Sequence, residues 1–160
     1  MTTPVDSRRA SLRRDTLVLA VILIVQYALG MIVNIYVTVP KTDQGVGLGK
    51  AFGDAMSKGP ASLAIHTGVG VILLLASVGL VVHALLSGHR VVLVSSVVAL
   101  LAIVGAAFNG ADFVNNGQNS ASLTMALLTA LALLCAIVNL YVLGSPAPAQ
   151  AAGVEAESRV

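Results

Sequence analysis

Four long apolar runs, separated by short polar punctuation, constrain this chain more than any other feature. They cover about 16–39, 61–86, 91–108 and 121–143. Each is roughly 18–26 residues long, and about 20 helical residues cross a hydrocarbon core ~30 Å thick. Lipid offers the backbone no hydrogen-bonding partner, so such a run satisfies its own amides as a helix. The sequence therefore predicts an all-α fold: an integral membrane four-helix antiparallel bundle over 16–143, with a basic segment at 1–15 and a disordered tail at 144–160. The first run exceeds the ~7–15 apolar residues of a signal-peptide core and no A-x-A site follows it, so it reads as a retained span.

Composition excludes the main soluble alternatives. Apolar residues make up 57% of the chain and charged residues 10%, against about 45–50% and about 25% in an ordinary soluble domain. So little charge cannot cover a water-facing surface. Nine Lys/Arg against seven Asp/Glu give a net charge of +2, which is no basic stripe for nucleic acid. Trp is absent, so bases have few stacking platforms. Cys135 is the sole cysteine, which leaves no intramolecular disulfide and no thiolate-cluster metal site.

Flanking charge sets the expected orientation. Arg8, Arg9, Arg13 and Arg14 precede the first run, and Arg90 sits in the short connection after the second. The other side carries Lys41, Lys50 and Lys58 beside Asp43, Asp54 and Asp112. Cytoplasmic loops are the cation-rich ones, so both termini are expected inside the cytoplasmic membrane.

Local signals fix the connections. Pro40 closes the first helix and Pro60 opens the second. Residues 47–58 read as a loop on the lipid headgroups; the other reading is a short surface helix carrying Leu48, Phe52 and Met56 at spacing four. Residues 109–118 read as an amide-rich external loop ending in the turn Asn115-Asn116-Gly117, with Asn119 or Ser120 capping the last helix.

Helices in lipid associate through small residues and polar contacts. The expected inner faces are Gln26, Gly30, Asn34 and Thr38 on the first; His66, Gly70 and Ser77 on the second, with Gly79 nearby; Ser95, Ala99, Ala102, Ala106 and Asn109 on the third; and Ser122, Met125, Thr129, Ala132, Ala136 and Asn139 on the fourth.

Polar groups at membrane depth are functional candidates. They sort into an outer layer (Asn34, Thr38, His66, Asn109, Asp112, Ser122, Met125) and an inner one (His83, His89, Arg90, Asn139, Tyr141). The ordinary role for His66 is an interhelical hydrogen bond to Asn34, Asn109 or Ser122. No Asp or Glu lies inside a span, against a proton-coupled carrier, and no H-E-x-x-H or paired nucleophile and base marks a hydrolase. No catalytic residue and no metal site is expected.

The string His66-Thr67-Gly68-Val69-Gly70 resembles the haem-bearing helices of four-helix cytochrome b modules, where a glycine lets the porphyrin approach the backbone. That resemblance implies a b-type haem on His66. The chain departs from those modules in having no histidine inside another span. His66 and His83 are 17 residues apart, about 100° around the helix and ~25 Å along it, and cannot share one haem. Met125 is the available second ligand. In layout, an Ala/Val-rich chain with an acidic-Ala tail, the whole resembles small four-span membrane proteins of high-GC actinobacteria, which brings no activity with it.

The expected function is thus a structural, accessory or interaction subunit, its partners the lipid bilayer, other membrane subunits or a second copy. The alternatives are a haem protein using His66 and Met125, or an extracytoplasmic ligand site built from Asn34, His66, Asn109 and Asp112.

Overall fold

The computed structural model describes residues 4–38 and 45–145. Over these the chain is helical: α1 Pro4–Tyr36, α2 Leu48–Ser57, α3 Ala61–Ser87, α4 Arg90–Asn116 and α5 Asn119–Gly144. Four of the five, all but α2, are long and apolar enough to cross a membrane. Pro40, Lys41 and Asp43, and the expected disorder from 146 onward, fall outside the described residues.

The long helices alternate in direction. Arg9 near the start of α1 bonds to Leu143 at the end of α5, and Asn34 near the end of α1 bonds to Ser122 at the start of α5. Asp15 likewise meets His83, and Ser96 meets Asn139. Around the bundle the order is α1, α3, α4, α5, and α2 lies across α3 and α4 at the far end from the chain termini. Large apolar side chains such as Leu75, Leu86, Leu101 and Leu123 stand on the exterior, more than 60% exposed. That is an inside-out surface for a soluble protein and the ordinary one for a multi-pass membrane protein.

The half of the bundle at the start of α1, termed inner by position in the bundle alone, holds a continuous core of Leu12, Leu19, Leu23, Leu80, Val92 and the α4–α5 alanines. Ala99, Ala102, Ala132 and Ala136 are all buried, as their spacing predicts, and let α4 and α5 approach closely. A smaller core of Val33, Ala51, Ala55, Leu63 and Val114 sits under α2.

Several boundaries differ from those read in the sequence. Helix α1 already includes the basic segment and ends at Tyr36, so Thr38 lies beyond it. Residues 48–57 are a helix, not a loop; the face turned inward is Ala51, Asp54 and Ala55, while Leu48 and Met56 are exposed. Residues 109–116 are the last two turns of α4, with Asp112 helical. Their amides bond along the helix, Asn109 to the carbonyl of Gly105 and Asn116 to Asp112, so no loop is needed to satisfy them. Gly117, with φ of 68°, then reverses the chain. Gln118 occupies the N-cap of α5 without a side-chain cap, and Asn119 is already helical.

Candidate functional site

Between the two cores the helices part around a cavity of about 760 Å³. Leu23, Leu73 and Ile103 close its inner end; Val33, Ala55, Leu63 and Val114, with Phe52 of α2, close its outer end. This volume lies within the ~300–1,000 Å³ of small-molecule sites. Three of the long helices bring polar residues to the wall: Gln26 and Asn34 from α1, His66 and Thr67 from α3, and Asn119, Ser122 and Thr129 from α5; the α4 share is apolar.

His66 is held by α1. The Gln26 amide nitrogen donates to the His66 main-chain carbonyl at 3.1 Å and lies 3.5 Å from its ring Nε2. With Nε2 accepting, the ring proton sits on Nδ1. His66 Nδ1 and Gln26 Oε1 are both buried and have no hydrogen-bond partner among the described residues. Both atoms are packed between α1 and α3 rather than open to the cavity, and leaving them unpaired costs about 1–3 kcal/mol each. The ring fits because residue 30 is glycine: a Cβ there would stand 3.1 Å from His66 Cε1. On the opposite wall, Met125 Sδ lies 3.2 Å from where a Cβ of Gly110 would be.

Of the residues the sequence singled out, His66, Met125 and Asn34 line this one cavity. Asn34 pairs with Ser122 Oγ at 2.9 Å rather than with His66. Asn109 bonds back to Gly105 and Asp112 pairs with Asn116, and neither lines the cavity. The expected partner of His66 is also replaced: Gln26 takes that place. The reason is register. His66 faces Gly30 and Gln26, about 6 and 12 Å along α1 from the expected Asn34.

Sequence reading favoured a loop where α2 forms and gave the short helix as the other reading. Asn115 fixes the chain entering α2, its carbonyl accepting from Gly45 N–H and its Oδ1 from Gly47 N–H, both at 2.9 Å. Gly45 and Gly47 take φ of 76° and 88°, which glycine adopts without strain. The Gly45-Val46-Gly47-Leu48-Gly49-Lys50 stretch leading into α2 was the available signal.

At the termini end, His83 Nδ1 lies 2.8 Å from Asp15 Oδ2, tying α3 to α1. Deeper in, Asn139 and Ser96 are fully buried and bonded to each other.

No protein-family model, curated protein or solved structure matches the chain, so any functional reading rests on this geometry.

Proposed function

We propose that this chain is a ligand-binding protein of the cytoplasmic membrane, with both termini inside, that holds a small molecule in the chamber between its two cores. The observation that carries the reading is the 760 Å³ cavity itself, whose described wall is mostly apolar, bears the polar side chains Asn34, Thr67, Asn119, Ser122 and Thr129, and has no fixed charge. A concave apolar space with a few polar groups is the form that small-molecule sites take. Orientation follows from charge: Arg8, Arg9, Arg13, Arg14 and Arg90 lie at the termini end, whereas Lys50 and Lys58 at the other end share Asp54. The role is binding rather than catalysis, because the described wall holds no carboxylate, Lys, Arg or Cys. Such a chamber also suits an accessory subunit that delivers or senses its occupant.

The test is to purify the full chain in mild detergent and extract what it carries, beside Thr129→Phe and Ala126→Phe, which fill the cavity. The expected result is a stoichiometric small molecule on the wild type and its loss from folded variants. Identical extracts from all three would overturn the reading.

A second reading is favoured by one observation: His66 and Met125 face the same cavity from α3 and α5, and glycines relieve crowding beside each. These residues would hold a b-type haem, which would supply one-electron chemistry. A reduced-minus-oxidised spectrum decides it: a Soret band lost in His66→Ala supports haem, and a protein that stays colourless after hemin titration ends it.

A further inference from the structure

We propose that the occupant of the chamber is an uncharged, hydroxyl-bearing amphiphile of the bilayer, with the chemistry of an acylglycerol, admitted sideways between α1 and α5. This rests on the ligand-binding reading and names its substrate class and its route.

The head-group chemistry follows from the wall. Among the described residues that line the cavity none carries a fixed charge, so a phosphate or ammonium head would enter with no counter-charge. The wall hydroxyls are already committed as donors: Thr67 to the Leu63 carbonyl, Thr129 to the Met125 carbonyl and Ser122 to Asn34 Oδ1, each at 2.9 Å. They therefore face the chamber as acceptors, beside the donor-bearing amides of Asn34 and Asn119, and a fitting head both donates and accepts. A ligand hydroxyl does both.

The route follows from helix geometry. Gly30 and Gln26 turn toward α3, where they meet His66. Tyr27, Met31 and Asn34 lie about 100° or less further round α1, on the flank where Asn34 meets Ser122 of α5. Tyr27 and Met31 are 45% and 44% exposed, yet both line the cavity, as does Leu123 of α5 at 62%. Side chains that face the chamber and the exterior at once mark its opening. That opening is apolar and lateral, so on a membrane-spanning bundle it faces the acyl chains. At the end away from Arg9 and Leu143, α2 packs on α3 and α4, with Phe52 against the chamber and Asn115 holding the incoming chain. The head would sit within, and the acyl chain would leave between α1 and α5.

The full chain, reconstituted in phosphatidylcholine vesicles, is photolabelled with a diazirine diacylglycerol and, separately, a diazirine phosphatidylcholine. The expected result is saturable labelling by the diacylglycerol probe on the Tyr27–Asn34 and Asn119–Ala126 segments. It should be competed by dioctanoylglycerol and exceed the phosphatidylcholine probe about tenfold there. Leu123→Trp, at an exposed position that folding tolerates, should cut that labelling about tenfold by narrowing the opening. Equal, uncompeted labelling by both probes would overturn the ligand class. Saturable labelling unchanged by Leu123→Trp and by Met31→Trp would overturn the lateral route. If the extracted occupant of the wild-type protein is charged or is haem, the ligand class fails while the chamber reading stands; if nothing is extracted and the cavity-filling variants behave as wild type, the chamber reading itself fails.

Discussion

Asn139 of α5 and Ser96 of α4 meet in the fully buried inner half, Nδ2 donating to Oγ at 3.1 Å. Asn139 Oδ1 has no partner among the described residues, so its single bond to Ser96 is all that offsets burial of the amide. Pairs of this kind between membrane helices contribute on average ~0.6 and at most ~1.7 kcal/mol. Ser96→Ala should therefore cost about 1 kcal/mol, and adding Asn139→Leu should recover much of it, because an apolar pair of similar shape leaves nothing unsatisfied. Reversible unfolding in bicelles measures the cycle. Additive losses in the double variant would show that the pair is not the source.

Gly30 carries the α1–α3 contact at the chamber. A methyl at residue 30 would meet the His66 ring at 3.1 Å, whereas one at Gly68 on α3 would meet nothing within 4 Å. Gly30→Ala should cost about 1–3 kcal/mol as an overpacked site and shift the His66 imidazole resonances. Gly68→Ala should stay within about 0.5 kcal/mol. Equal effects from the two would place His66 somewhere other than against α1.

Much of this arrangement was legible in the sequence. Run length and the lack of interior charge specified four long helices, because lipid leaves few other solutions. The alanine spacing on α4 and α5 identified their shared face. Partners were not legible, since pairing across antiparallel helices depends on where each one ends. Depth counted from the expected helix ends puts His66 opposite Asn34, whereas it faces Gly30 and Gln26. Reading Asn109 as a loop residue missed that its amide bonds within α4. A loop was favoured at 47–58 because α2 packs through Ala51 and Ala55, whereas hydropathy draws attention to Leu48 and Met56.

Arg9 closes the C-terminus of α5. Helices α3 and α4 end in left-handed glycines, Gly88 and Gly117, but α5 ends at an extended Ser145. Its last carbonyls are taken instead by the guanidinium: Nε to Leu143 O at 3.0 Å, Nη2 to Val142 O at 3.1 Å, and a further bond to Ser145 O. A cation at this position also suits the helix dipole. Arg9→Ala should cost about 1–2 kcal/mol and speed hydrogen exchange in the last turn of α5. Arg9→Lys should restore only part, because an ammonium does not present the planar fork. Unchanged exchange at 141–145 in Arg9→Ala would show that α5 caps itself.

Asp54 makes the stability of α2 itself dependent on pH, since both its partners, Lys50 and Lys58, belong to α2 and its C-cap. It accepts hydrogen bonds from Lys50 and from Lys58, the latter at 2.9 Å, and these hold its carboxyl below the ordinary 3.8. A carboxyl depressed in the folded state binds its proton more readily when unfolded. Its contribution is therefore fully present above about 3.8 and is lost as pH falls through the lower folded value. Protection of the α2 amides, followed by hydrogen exchange on the reconstituted protein, should be level above that range and fall below it. Added salt should weaken the effect, because both lysines are more than half exposed. Asp54→Asn should lower α2 protection at neutral pH and flatten the acid dependence, while Asn115→Ala, which frees the chain entering α2, should lower protection and leave the acid dependence in place. A wild-type profile that does not change through this range would mean that the Asp54–lysine pairs do not stabilise α2.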